Sequence, residues 1–260
     1  MKVLICRDEA SAISRAAGHI ADHIKDRPTS VLGLATGQTM LPLYRALIER
    51  HRTGGLSFAS VTTFNLDEYV GLAPDHPGSY HSYMREALFD HIDIDPACTH
   101  LPRGDAADPV AEAAEYEARI ARAGGISLQL LGIGRNGHIG FNEPTSSLAS
   151  PTRIKTLTES TRRANSAQFG PDETPPRYAI TMGVGTILSA SECLLLATGG
   201  AKAEAVAAMV EGPVSAICPA SALQLHPRAT IVLDRDAATN LTLTDYYHHV
   251  HPDGEATRFE

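Results

Sequence analysis

Short apolar runs alternate along this chain with longer stretches whose apolar residues recur at helical spacing. Residues 3–6 read as a strand, and Asp8 stands where it could cap a helix with an apolar face of Ala10, Ile13, Ala17, Ile20 and Ile24. Residues 31–35 form a second strand. They lead into the polar turn Thr36-Gly37-Gln38-Thr39 and then an amphipathic helix through Leu43, Leu47 and Ile48. Residues 61–66 are a third strand, and residues 80–89 and 110–120 read as helices. Residues 128–133, apart from Gln129, and residues 194–197 are continuous apolar runs of the kind found in strands buried on both faces of a parallel sheet. An alanine-rich helix over 201–210 and a strand over 230–233 complete the pattern.

Strands separated by helices imply right-handed βαβ units, so the expected fold is α/β, doubly wound, with a mostly parallel sheet. No linker, internal repeat or low-complexity tract interrupts the pattern, and residues 1–260 are read as one domain. In such sheets ligands bind beyond the carboxyl ends of the strands. The loops that directly follow apolar runs are therefore the ones to search for chemistry.

Charge narrows the classes of function. The 22 basic residues are outnumbered by 30 acidic ones, for a net charge of −8. That balance argues against nucleic acid as a partner, since phosphate backbones require a basic surface. A small phosphorylated ligand needs only a few local cations and a helix start. No apolar run reaches the eighteen residues of a membrane span, and Arg7, Asp8 and Glu9 follow the first strand too soon for a signal-peptide core. The four cysteines show no metal-type spacing, and Cys6 and Cys193 border apolar runs, so they read as buried thiols. These features together lead us to expect a cytoplasmic enzyme with no membrane association.

Three loops hold candidate chemistry. The turn Thr36–Thr39 joins a strand to a helix, and free N–H groups at a helix start make an anion site. The plainer reading is a structural turn with Thr39 as the helix cap. Asp67 and Glu68 follow the third strand, where a general base could face a ligand; a solvated acidic turn is the alternative. Residues 131–144 hold four glycines around Asn136, His138 and Glu143. A histidine exchanges protons near neutral pH, and a neighbouring carboxylate can fix its ring and tautomer. Gly132, Gly134 and Gly137 also satisfy the dinucleotide fingerprint, but no helix can open there, because His-Ile-Gly-Phe-Asn-Glu-Pro follows and Pro144 and Pro151 block one. The histidines at 248, 249 and 251 lack an acidic or cysteine partner at ligand spacing, and we read them as a polar tail rather than a metal site.

Taken together, FNLDEYVGL at 64–72, LGIGRNGHIGFNEP at 131–144, SSLASPTRIKTL at 146–157 and EGPVSAICPASALQLHP at 211–227 resemble the glucosamine-6-phosphate deaminase family over nearly the whole chain. The resemblance implies a Rossmann-like α/β domain without a nucleotide. It also implies conversion of D-glucosamine 6-phosphate and water into D-fructose 6-phosphate and ammonia, with no redox cofactor and no metal. His138 matches the family's ring-opening acid–base group, supported by Glu143 and Asn136, and Asp67 matches its base for the C2 proton. Thr36, Gly37, Gln38 and Thr39 correspond to its phosphate-side turn, and Lys202 to a phosphate-contacting lysine.

The departures are specific. Position 136 is Asn where some members have Asp, and Met40 stands where the family turn has proline. Ala167 replaces a phosphate-binding arginine, a loss that matters because a bidentate contact is strong; Arg162, Arg163 or Arg177 could substitute. Ser146, Arg153, Lys155 and Thr156 match positions that bind N-acetylglucosamine 6-phosphate between subunits in allosteric members. They imply a regulated homo-oligomer, a hexamer in form; the alternative is that Arg153 and Lys155 are simply the outer face of an edge strand. Competing functions are a related enzyme with another amino sugar, a 6-phosphogluconolactonase-like enzyme, and a sugar-phosphate sensor without turnover.

Overall fold

Ten strands and eight α-helices follow one another along the residues that the computed structural model describes, 1–166, 169–170 and 173–255. The strands are β1 (Lys2–Cys6), β2 (Val31–Leu34), β3 (Thr62–Asn65), β4 (Asp67–Tyr69), β5 (Thr99–His100), β6 (Leu128–Leu131), β7 (Arg153–Thr156), β8 (Tyr178–Thr181), β9 (Cys193–Ala197) and β10 (Ala229–Asp234). The helices are α1 (Glu9–Asp26), α2 (Met40–Arg52), α3 (Tyr80–Ala87), α4 (Pro109–Arg122), α5 (Glu159–Ala164), α6 (Val184–Leu188), α7 (Ala203–Val210) and α8 (Thr244–Val250).

Seven strands pair in parallel in the order β1-β10-β9-β6-β2-β3-β5. From β2 the chain winds outward to β3, while from the adjacent β6 it winds the other way to β9. The crevice between β2 and β6 is thus the switch point of the sheet, where its geometry leaves room for a ligand. Every residue of β6, β9 and β10 is buried, which accounts for their mostly apolar sequences; Gln129 in β6 and Thr230 and Asp234 in β10 are the polar exceptions.

The local reasons for the elements are largely those expected. Asp8 caps α1, its carboxylate accepting from the Ser11 N–H at 2.8 Å. The buried stripe of α1 runs through Ala12, Ala16, Ile20 and Ile24, whereas Ala10 is exposed. Ala10 is in register with Ala17 and Ile24 but stands in the first turn, at the open end of the helix. The 201–210 segment splits into a short 3-10 turn, Gly200–Lys202, followed by α7, and the helix from Tyr80 breaks at Leu88 before a 3-10 turn, Phe89–His91.

Two features depart from the sequence expectations. A second, antiparallel sheet, β4-β8-β7, lies over the carboxyl ends of the main one, with β7 at its edge. Its strands are three or four residues long and too short for periodicity to reveal. The C-terminal histidines are not a polar tail: His248 and His249 lie in α8, which packs on β1, and His251 is buried at 3% exposure. Burial of the Tyr247 body draws this segment into structure.

Gly183, which caps α6, faces the carbonyl oxygens of Ser150 and Pro151, and a Cβ there would lie 2.0 and 2.2 Å from them. Backbone atoms cannot rotate away, so Gly183→Ala must displace the 149–152 segment. We expect a loss on the order of 1–3 kcal/mol, read as a lower melting temperature; an unchanged melt would show that this segment yields freely.

Candidate active site

A cavity of about 670 Å³ opens at the β2/β6 crevice. The Thr36–Thr39 turn after β2 forms one wall and the 132–141 loop after β6 another, with Asp67, Tyr80 and Lys202 completing it. A larger hollow of about 1300 Å³ lies along α1 instead. Its polar groups already satisfy one another, as in the His19–Glu192 contact at 2.6 Å and the Arg15–Glu255 pair, and it is remote from the loops that carry candidate chemistry.

Asp67 and Glu68 are adjacent on β4, so they point to opposite faces. Neither is a solvated acidic turn: Asp67 is 4% exposed and Glu68 not at all. Glu68 turns away from the cavity and accepts from the N–H groups of Tyr69 at 2.8 Å, Tyr80 at 3.0 Å and His81 at 3.1 Å, and it meets the His81 Nδ1 at 2.8 Å. It therefore anchors the start of α3, where anionic charge is favoured. Asp67 faces the cavity with little support: the Thr181 hydroxyl stands at 3.4 Å, and the Phe141 backbone N–H favours the carboxylate more weakly still. Burial, and next the charge of Glu68, push its carboxyl up to about 8.

The glycines of the 132–141 loop have separate duties. A Cβ on Gly134 would lie 2.2 Å from the His138 ring, so the ring occupies the space that a side chain would take. Gly140 adopts φ +53°, and a Cβ there would come within 3.2 Å of the Asp67 carboxylate. No helix forms from 132 to 152, which removes the pyrophosphate seat that a dinucleotide needs. His138 lines the cavity, and its Nδ1 sits 3.6 Å from the Glu143 carboxylate. Glu143 lies behind it, accepting from the hydroxyls of Thr158 and Thr161 and from the Asn136 amide at 2.8 Å. Burial raises the Glu143 carboxyl, but the His138 imidazole with the Thr161 and Asn136 hydrogen bonds outweighs it and holds the group at about 2. Asn136 does not bond the His138 ring: its amide goes to Glu143, and its carbonyl accepts the His138 backbone N–H at 3.3 Å.

The opposite wall is suited to an anion. Thr39 makes no capping hydrogen bond to α2, contrary to the plainer reading of this turn. Among the described residues nothing accepts from the N–H groups of Thr36, Gly37, Gln38 or Thr39. Lys202 reaches the same region, donating to the Ile133 carbonyl at 2.7 Å, and burial and then the charge of Arg135 lower its pKa. Arg135 also lines the cavity, which the sequence motif alone did not reveal because arginine there looks like any loop cation.

Other expectations fall elsewhere. Ala167 lies outside the described residues. None of the three proposed substitute arginines lines the cavity: Arg162 donates to the Pro175 carbonyl, Arg163 pairs with Glu159, and Arg177 lies over the Tyr178 ring. Ser146, Arg153, Lys155 and Thr156 are also outside it, and Arg153 donates to the Asn142 amide oxygen at 2.7 Å. Tyr80, Phe141, Thr161 and Asn165 line the cavity without having been singled out by sequence. Among the described residues no three His, Cys, Asp or Glu side chains gather to hold a metal ion.

Fold and cavity define an α/β protein with a buried carboxyl and a histidine set opposite a turn of free N–H groups. The chain belongs to the family of glucosamine-6-phosphate isomerases and 6-phosphogluconolactonases, whose pattern matches residues 8–232. It is 57% identical over 251 residues to a glucosamine-6-phosphate deaminase of Hahella chejuensis, covering 96% of this chain and 95% of that one. To the glucosamine-6-phosphate deaminase of Cellvibrio japonicus it is 54% identical, with the same coverage. A solved structure of a monomeric glucosamine-6-phosphate deaminase superposes with a TM-score of 0.90 at 49% identity, covering 92% of this chain and all of that one. A 6-phosphogluconolactonase from Trypanosoma cruzi shares the fold, with a TM-score of 0.74 at 21% identity over 93% of this chain and 97% of that one.

The raised carboxyl of Asp67 has a consequence for stability. The unfolded chain releases that proton near the ordinary aspartate value of 3.8, whereas the folded chain keeps it to about 8. Between those values the folded state binds the extra proton, so stability falls as pH rises through the window. Asp67→Asn should therefore gain on the wild type from pH 4 to pH 8, by on the order of a few kcal/mol at the upper end. Denaturant melts at several pH values measure this, and a pH-independent difference would contradict it.

Proposed function

We infer that this chain isomerises and deaminates D-glucosamine 6-phosphate, releasing D-fructose 6-phosphate and ammonia. The observation that carries the reading is Asp67, a cavity-facing carboxyl raised to about 8 and placed opposite an unsatisfied N–H turn. A lactonase needs no base for a carbon acid, and a sensor needs no proton-transfer groups, so both competing readings leave this residue without a task. The names of the relatives point the same way.

The steps follow from the groups present. His138 takes the proton from O1 of the pyranose and delivers one to O5, opening the ring; Glu143 behind it stabilises the imidazolium that forms between these transfers. Asp67, as carboxylate, then removes the C2 proton while the substrate's 2-ammonium group gives up a proton that ends on O1 through water, and the electron pair makes the enolamine. Asp67 returns its proton to C1, which leaves an imine at C2. Water adds to that imine, ammonia departs, and the ketone of fructose 6-phosphate remains. The Thr36–Thr39 turn, Lys202 and Arg135 bind the phosphate, with Arg135 in the part that Ala167 leaves vacant in the family pattern.

The similar solved structure is described as monomeric, and on that likeness we favour a chain that acts without a partner subunit over a hexamer. An effector role for Ser146, Arg153, Lys155 and Thr156 stays attached to the oligomeric alternative. A cytoplasmic location belongs to the same reading, since Cys6, Cys193 and Cys218 are buried free thiols that suit a reducing compartment.

Ammonia release from glucosamine 6-phosphate by the purified protein tests the function directly. Asp67→Asn should lower that rate by about 10²–10⁴-fold and stop exchange of the C2 proton with solvent. Persistence of that exchange would remove Asp67 from the step. Because the base must be ionised, kcat/KM should climb with pH toward about 8 and then level; a profile flat from pH 6 to pH 9 would exclude Asp67 as the titrating base. Lys202→Ala and Arg135→Ala should each raise KM for the phosphorylated sugar on the order of tenfold, and equal effects on unphosphorylated glucosamine would count against a phosphate role.

A further inference from the structure

Two tyrosines stand behind the anion-facing turn, and neither lines the cavity. Tyr83, on α3, donates its hydroxyl to the Gly37 carbonyl at 2.7 Å. Tyr44, on α2, donates to the Ala35 carbonyl. The Gly37 oxygen also accepts from the Met40 N–H at 3.0 Å, so both of its lone pairs are engaged. Gly37 itself is at φ +114°, a conformation that needs glycine, and a Cβ there would meet nothing within 4 Å.

A trans peptide is planar, so its carbonyl and the following N–H point in opposite directions. Drawing the Ala35 and Gly37 oxygens back toward two phenols therefore turns the N–H groups of Thr36 and Gln38 forward. Those two N–H groups belong to the set that nothing among the described residues accepts. Without the Tyr83 hydroxyl, the peptide between Gly37 and Gln38 keeps only the Met40 contact, at a residue whose missing side chain leaves it free to rotate.

We propose that Tyr83 is a positioning residue for phosphate: its hydroxyl fixes the Gly37–Gln38 peptide with its N–H aimed at the phosphate oxygens, and so sets affinity for the phosphorylated end of the sugar. Tyr44 does the same for the preceding peptide from the core side. The inference rests on the proposed function only in taking the anion on this turn to be the substrate phosphate. Tyr83 lies on the helix that Glu68 anchors, so the same helix start that Glu68 holds also fixes the distance from turn to base.

The test is Tyr83→Phe, which deletes one hydroxyl and keeps the ring. Tyr83 is partly buried and its ring meets Tyr80 edge to face, a contact that phenylalanine preserves. One neutral hydrogen bond of this kind corresponds to about three- to tenfold in affinity. We expect KM for glucosamine 6-phosphate and the inhibition constant of inorganic phosphate to rise together by that factor, with a smaller change in kcat. Turnover of unphosphorylated glucosamine should not follow them, and circular dichroism and the melting temperature should report an intact fold. A folded Tyr83→Phe enzyme that binds inorganic phosphate as tightly as wild type overturns the inference and leaves the proposed function standing. Equal losses with glucosamine and glucosamine 6-phosphate overturn it too, since they mean a general structural role. Failure of inorganic phosphate to compete against wild type at all overturns both this inference and the phosphate reading beneath it.

Discussion

The burial of two adjacent carboxyl groups on β4 is the constraint around which the rest of the molecule is arranged. Strand geometry sends Asp67 and Glu68 to opposite faces, and the fold then treats them differently. Glu68 gathers three backbone N–H groups and an imidazole, enough to offset the loss of water. Asp67 has only the long Thr181 contact and a weaker Phe141 N–H, and its charged form is correspondingly disfavoured. A buried carboxyl with so little support weakens the fold on its own account. Strongly perturbed groups gather where chemistry is done, which is what marks Asp67 as the candidate base.

Close approach is the second ingredient. His138 sits where Gly134 lacks a side chain, Gly140 lies against the Asp67 carboxylate, and a Cβ on Gly137 would meet the Cys218 sulfur at 2.6 Å. The loop after β6 thus has almost no freedom to take other residues, although nothing in it is regular secondary structure. Glu143 and the hydroxyls of Thr158 and Thr161 close the rear, tying the loop to α5. In the dinucleotide-like spacing Gly132, Gly134 and Gly137 leave room for Met40, the His138 ring and the Cys218 sulfur, which explains how the same letters arise without a nucleotide.

The parallel sheet was legible because each of its long strands is buried on both faces and declares itself as an apolar run. The small antiparallel sheet was not, because β4 reads as an acidic loop, β7 alternates charged and neutral residues, and β8 follows a proline-rich stretch. Asp67, His138, Glu143, the Thr36–Thr39 turn and Lys202 could be named from motifs. Tyr80, Thr161 and Asn165 could not, because a tyrosine or threonine on a helix gives no sign of which loop it will meet. Asn136 lines the cavity, but its amide contacts Glu143 and the His138 backbone and not the ring, which its spacing from His138 could not show.

Anion binding and proton transfer are joined by α3. Glu68, next to the base, holds the first turn of this helix; one turn later Tyr83 grips the Gly37 carbonyl behind the anion site. Tyr80, between them, lines the cavity and shares a hydroxyl contact of 3.3 Å with Tyr69, which also receives the Asn165 amide at 2.8 Å. A phosphate seated on the turn is consequently referenced to Asp67 through one short rigid helix, with no long loop between. Remote binding energy can help a reaction at C2 only if the binding groups and the base cannot move independently. The buried Glu68 carboxylate meets that condition: by anchoring α3 beside Asp67, it converts a hold on the phosphate into a fixed position for the reacting carbon.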